Sequence, residues 1–99
     1  MEMFGYTTFT TFWQDFSIAD YFGVDAIEET FLRAFDEWRS DYKYLTELVM
    51  ILNWKIWYHY ELGNDAYVEM YTKLWEEADE YAYENLSGSE LRYFLETID

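Results

Sequence analysis

YKYLTELVMILNWKIWYHY, residues 42–60, decides how this chain folds. Wound as a helix at ~100° per residue, it puts Leu45, Leu48, Val49, Leu52, Ile56 and His59 on one face. Met50, Ile51, Trp54, Trp57 and Tyr58 fall on the others. A helix that is apolar nearly all round is a buried one. The expectation is therefore a central helix with the remaining chain packed about it. A membrane span does not fit. The unbroken apolar run is only Leu48 to Leu52, bracketed by Glu47, Asn53 and Lys55, and a bilayer needs ~20 apolar residues.

Charge sets this stretch apart from its flanks. Lys43 and Lys55 against Glu47 give residues 42–60 a net +1, whereas residues 1–41 carry −7 and residues 61–99 carry −9. The whole chain stands at −15 over 99 residues. A surface of that sign has no use for nucleic-acid phosphates, which are bound by Lys and Arg; it attracts cations or basic proteins. The acidity does not mean disorder, because 52% of the residues are hydrophobic and 24% are aromatic. Disorder requires low hydrophobicity as well as high charge. With rings that bury ~150–250 Å² each, a single domain spanning residues 1–99 has the material for a core. The absence of cysteine excludes disulfides, thiolate zinc sites and cysteine nucleophiles. Together with the lack of a secretory signal pattern at the N-terminus, it fits a cytoplasmic protein.

Outward from the centre, Gly5, Gly23, Gly63 and Gly88 cut a proline-free chain into helix-sized pieces. Residues 1–10 show no clear period and read as an extended arm. A first helix is expected from about Phe12 to Phe22, with Thr11 and Gln14 as a capping box and Phe12, Phe16 and Ala19 turned inward. Asp25 and Glu28 repeat that start signal. Ile27, Phe31, Ala34, Phe35 and Trp38 then follow helical spacing to about Arg39. Ser40 and Asp41 precede the central helix, which Gly63 closes. Asn64 opens a fourth helix over about 65–84, and a short fifth follows, with Leu91, Phe94 and Leu95 inward. The fold class is all-α: a small bundle of about five helices around a buried central one.

The fourth helix sorts most cleanly. Tyr67, Tyr71, Leu74, Trp75, Ala78 and Ala82 share one side. Asp65, Glu69, Lys73, Glu76, Glu77, Glu80 and Glu84 fall in a sector of roughly 120° on the other. Lys73 has i, i+4 partners in Glu69 and Glu77. Glu76 with Glu80, and Glu80 with Glu84, are like-charge neighbours costing ~0.2–0.5 kcal/mol each. That self-repulsion points to a use beyond stability, although a solvated face that keeps an aromatic protein soluble is the plain alternative. The stripe runs ~28 Å, a length over which one DNA strand offers roughly eight phosphates. Asp25, Glu28, Glu29, Asp36 and Glu37 on the second helix extend the array if both faces point the same way. The candidate partner-binding residues are therefore Asp65, Glu69, Glu76, Glu77, Glu80 and Glu84, with Glu28, Glu29, Asp36 and Glu37.

Other chemistry is thin. His59, the only histidine, lies in an apolar helix without a nucleophile near it in sequence, so it reads as packed. There is no Glu-x-x-His pair for a di-iron site and no calcium loop; no cofactor, metal or catalytic residue is expected. Tyr42, Tyr44, Tyr58, Tyr60, Tyr81, Tyr83 and Tyr93 exceed what a core needs. With Trp54 or Trp57 they offer a second possibility, a protein-binding or homodimer patch.

TTFWQDFSIADYFG, AIEETFLRAFDEW and YKYLTELVMILNWKIWYHY, together covering roughly residues 7–81, resemble small helical proteins carried on mobile elements of gut bacteria. The resemblance implies no catalytic motif and transfers no functional residue. It adds weight to a DNA-mimicking inhibitor of restriction or CRISPR nucleases. The sequence-level conclusion is a non-enzymatic acidic binding protein whose partner is a basic, nucleic-acid-binding nuclease.

Overall fold

The computed structural model describes residues 4–98, with side chains from Thr10 onward. It contains α1 (Phe4–Phe22), α2 (Val24–Trp38), α3 (Tyr42–Leu62), α4 (Asp65–Asn85) and α5 (Gly88–Ile98), and no strand among the described residues. The fold is all-α, as the helical periodicity predicts, and α3 packs against each of the other four helices. No helix among the described residues is long and apolar enough to cross a membrane.

Two glycines make the sharp corners. Gly23 at φ 120° donates its N–H to Ala19 O at 2.9 Å and accepts from Ile27 N at 3.2 Å, so one residue ends α1 and starts α2. Gly63 at φ 76° lies in the left-handed region that commonly terminates helices. Its N–H bonds Tyr60 O at 3.1 Å, and Asn64 N bonds His59 O at 3.0 Å. Between the two corners, Asp41 caps α3 by accepting from Lys43 N at 3.0 Å and Tyr44 N at 3.4 Å. α1 and α2 thus form one antiparallel hairpin, and α3 and α4 a second.

The core draws Phe12, Phe16 and Ala19 from α1 and Ile27, Phe31 and Phe35 from α2. α3 supplies Leu45, Leu48, Val49, Ile51 and Leu52, α4 supplies Tyr71, Leu74, Ala78 and Ala82, and α5 adds Phe94. Phe16, Phe31 and Phe94 have no exposed surface, each burial contributing about 1.5–3 kcal/mol. Every inward residue predicted on α1 is buried, and so are the apolar anchors Ile27, Phe31 and Phe35 of α2.

Three expectations need correction. The extended arm over residues 1–10 gives way to helix from Phe4, with residues 1–3 outside the described residues. Thr11 is consequently inside α1 and is not its cap. A threonine costs at most ~0.7 kcal/mol in a helix, and the Phe9, Phe12, Phe16 spacing carries the helical period straight through. Likewise α2 starts at Val24 with Gly23 as its N-cap, and Asp25 falls in the first turn without capping anything. Finally, α3 is not buried all round. Its first half is largely buried, apart from Lys43, but Trp54 is 55% and Trp57 60% exposed, with Tyr58, Tyr60 and Leu62 also on the surface. α5 reaches only part of the outer side of α3: its end meets Val49, Met50 and Asn53 around a hollow that also includes Trp54, Trp75 and Ile98.

Candidate functional site

Two features stand out: the carboxylate rows expected from sequence, and a buried polar cluster that was not. The rows are set by how α2 meets α4. Val24 lies beside Ala66 and Met70, Glu28 beside Lys73, and Phe35 beside Tyr81. The offset is 45 or 46 residues for Val24–Met70, Glu28–Lys73 and Phe35–Tyr81, so the two helices run parallel and in step. On α4, Asp65, Glu69, Glu76, Glu77, Glu80 and Glu84 are all exposed, and on α2 so are Glu29, Asp36 and Glu37. Glu28 is half-buried and accepts from Lys73 Nζ at 3.2 Å.

Lys73 therefore reaches across to α2, and the pairing with Glu69 and Glu77 expected along its own helix is not made. Arg39 closes the other end of the seam. It lies 3.9 Å from Asp36 and stacks its guanidinium over the Phe35 and Tyr81 rings, 5.6 and 5.9 Å from their centroids. Among the described residues, Glu28 and Asp36 are the only two of the ten candidates in an ion pair. Two cations sit in the α2–α4 seam, and acids flank it on both helices.

Glu37 does not join this face. It lines a hollow between α1 and α2 with Thr11, Asp15, Thr30 and Arg33, on the opposite flank of α2. At ~100° per residue Glu37 is about a quarter of a turn from Glu29 and Asp36, enough to carry it over to the α1 side. The array extends from α4 to Glu28, Glu29 and Asp36 and stops there.

The buried cluster is centred on Asp20 of α1. Its Oδ2 accepts from Lys55 Nζ at 2.9 Å and lies 3.0 Å from His59 Nε2. Its Oδ1 accepts from the Tyr71 hydroxyl, and its backbone carbonyl accepts from the Tyr67 hydroxyl at 2.8 Å. Lys55 Nζ also donates to Ser17 Oγ at 3.0 Å. Lys55 is 1% and His59 2% exposed. Burial above all pushes the Tyr71 hydroxyl well up from its ordinary value, and the Asp20 hydrogen bond and charge act in the same direction. Tyr71 is held as a donor.

Asn64 Nδ2 lies 3.1 Å from His59 Nδ1. With the amide donating, Nδ1 is the acceptor and a neutral ring carries its proton on Nε2. Although Nε2 is close to Asp20, it makes no hydrogen bond in this geometry, so the contact is electrostatic.

Above the cluster opens a hollow of about 490 Å³ between the ends of α1 and α3 and the start of α4. Trp13 and Tyr58 form aromatic walls, but Lys55 Nζ already sits 4.2 and 5.2 Å from their ring centroids. The seat in which an ammonium ligand would make cation–π contact is filled by the protein's own lysine. No three His, Asp or Glu side chains among the described residues come together as a metal-binding group.

No family model, curated protein or solved structure matches this chain.

The sequence reading placed His59 correctly as a packed residue but missed its partners. The available signal was Lys55, a cation in the middle of a helix apolar nearly all round. Such a group needs a counter-charge on a neighbouring helix. Asp20, one step past the inward Ala19, was the acid best placed to supply it on α1.

Proposed function

We propose that this chain is a non-enzymatic binding protein that offers a basic partner a one-signed, nucleic-acid-like surface. The class of partner whose binding channel suits such a surface is a DNA-binding nuclease of CRISPR-Cas or restriction type, with a cytoplasmic site of action. The observation that carries the reading is the parallel, in-step packing of α2 on α4. It sets Glu28, Glu29 and Asp36 alongside the six exposed acids of α4. Within that array Glu76, Glu77, Glu80 and Glu84 crowd into nine consecutive positions, ~12 Å of helix. A DNA strand places a phosphate every ~3.4 Å, so the local charge density is comparable. Sequence stability alone would favour mixed signs at these i, i+4 positions.

Inhibition of cleavage is the direct test. Purified protein is titrated into Cas9-type and restriction nucleases with their DNA, alongside a variant carrying Glu76→Lys, Glu77→Lys and Glu80→Lys. The wild-type chain is expected to slow cleavage by at least one of them, with potency falling steeply as salt rises. The variant, unchanged in helix content by circular dichroism, is expected to lose the effect. Equal potency of variant and wild type, or potency indifferent to salt, removes the carboxylate face as the binding surface.

A further inference from the structure

The end of α1 carries an apolar projection that the core does not need. Ile18 is 58%, Tyr21 86% and Phe22 72% exposed, and the last two rings meet edge to face with centroids 5.4 Å apart. Directly beside them lies the hollow of about 490 Å³, walled by Trp13, Tyr58, Leu62 and Tyr21 itself. One face therefore holds an aromatic projection next to an aromatic-walled recess.

We propose that this face is a two-fold self-association surface, in which the Tyr21–Phe22 pair of each copy enters the recess of the other. A two-fold interface brings the same patch of both subunits together, so that each residue pair is made twice. A projection and a recess side by side on one patch satisfy that requirement without any second surface. A recess that received an unrelated protein would have no need of the adjoining projection.

Charge and area favour a second copy as the occupant. A basic partner is drawn to the carboxylates of α2 and α4. On this face Ile18, Tyr21, Phe22, Tyr58 and Leu62 are neutral, and Asp20, the acid that lines the recess, is already bound to Lys55. A copy with the same −15 is repelled by the acidic sides, and the neutral patch is where it approaches at least cost. At ~200 Å² per ring, Tyr21, Phe22 and Tyr58 expose on the order of 400 Å². Ile18 and Leu62 raise the apolar part to roughly 600 Å². A standard interface covers ~800 Å² per partner, of which ~65% is apolar in homodimers. The patch is large enough. The depth of the recess is fixed by the Asp20–Lys55–His59 cluster, whose polar groups bind one another and leave the walls to make the contacts.

This inference does not rest on the carboxylate reading, and its salt response has the opposite sign. Sedimentation velocity and light scattering across ~1 μM to ~1 mM protein are expected to show a monomer–dimer equilibrium. The dimer fraction should rise at ~1 M NaCl, where the Debye length is ~3 Å and like-charge repulsion is screened. Tyr21→Ser with Phe22→Ser should shift the equilibrium at least tenfold toward monomer while leaving the melting temperature near wild type, because both side chains are on the surface. Trp57→Ser, on a different stripe of α3, should leave it unchanged.

Because the chain has no cysteine, cross-links can be placed cleanly. Phe22→Cys mixed with Leu62→Cys should give an oxidised covalent dimer, and Trp57→Cys mixed with Leu62→Cys should not. A monomer throughout that range at high salt overturns the proposal, whatever else binds the face. So does a dimer that ignores the Tyr21/Phe22 substitutions, which would belong to another surface.

Discussion

Lys55 shows how one residue can set the terms for three helices. Removing an ammonium from water costs several kcal/mol unless charge and hydrogen bonds replace the lost hydration. Here the replacements come from α1: the Asp20 carboxylate at 2.9 Å, the Ser17 hydroxyl at 3.0 Å and the face of Trp13. Asp20 in turn needs its donors, and α4 supplies two of them through Tyr71 and Tyr67. The pair therefore ties α1 to both members of the α3–α4 hairpin. Asp20→Asn keeps an acceptor for Tyr71 but leaves the Lys55 charge buried without its counter-ion. It is expected to cost ~3–5 kcal/mol, read from urea unfolding as a lower midpoint at unchanged slope. Adding Lys55→Met to that variant should recover much of the loss, since an apolar replacement no longer needs the carboxylate. A double variant no more stable than Asp20→Asn alone would mean that Lys55 is not what the carboxylate stabilises.

At the scale of whole helices, the corner at Gly23 is the most demanding point of the fold. Its φ of 120° with ψ of 179° is a conformation nearly confined to glycine, and no atom lies within 4 Å of where a Cβ would stand. The cost of Gly23→Ala is therefore backbone strain alone, about 1–3 kcal/mol, or roughly 4–8 °C of melting temperature per kcal/mol. Gly63→Asn should cost far less, because the left-handed region at φ 76° admits asparagine. Equal melting temperatures for wild type and Gly23→Ala would show that the α1–α2 corner relaxes freely. Both corners were legible from sequence because a glycine interrupts helical spacing at each. Most of the core was equally legible, since periodicity records which side of a helix is apolar. What periodicity does not record is how much neighbour a helix acquires. The exposed half of α3, with Trp57 and Tyr60 in the open, depends on where the shorter α5 ends. The bond between Asp20 and Lys55 spans 35 residues, and the placement of Glu37 on the α1 side depends on a rotation that only packing determines.

Across the whole molecule, a charge of −15 on 99 residues must oppose the compact state, and two buried or half-buried carboxyls sharpen that opposition. Burial, and then the neighbouring Asp41 charge, raises the Glu47 carboxyl above its ordinary 4.5, and burial raises Asp79 above 3.8. Glu47 Oε1 is also enclosed without a hydrogen-bond partner among the described residues. A raised carboxyl binds more protons folded than unfolded in the window between its ordinary and raised values. Unfolding free energy then falls as pH rises through that window. Both groups therefore weaken the fold at neutral pH and cease to do so as they protonate. Mutual repulsion among the exposed acids of α2 and α4 has the same sign and is relieved by salt as well as by acid. The melting temperature is expected to climb as pH is lowered from 8 toward about 5, near the ordinary carboxyl range. At pH 7 it is expected to climb again as NaCl is added. Glu47→Gln should melt a few degrees above wild type at pH 7, and the gap should close as pH approaches 4.5. The two causes separate in one experiment: salt acts on the exposed rows and leaves most of the Glu47→Gln gap in place, because a half-buried carboxyl is screened less than an exposed one. If wild type and Glu47→Gln trace the same curve, Glu47 carries no burden of charge in the folded chain. The pH dependence then belongs wholly to the surface.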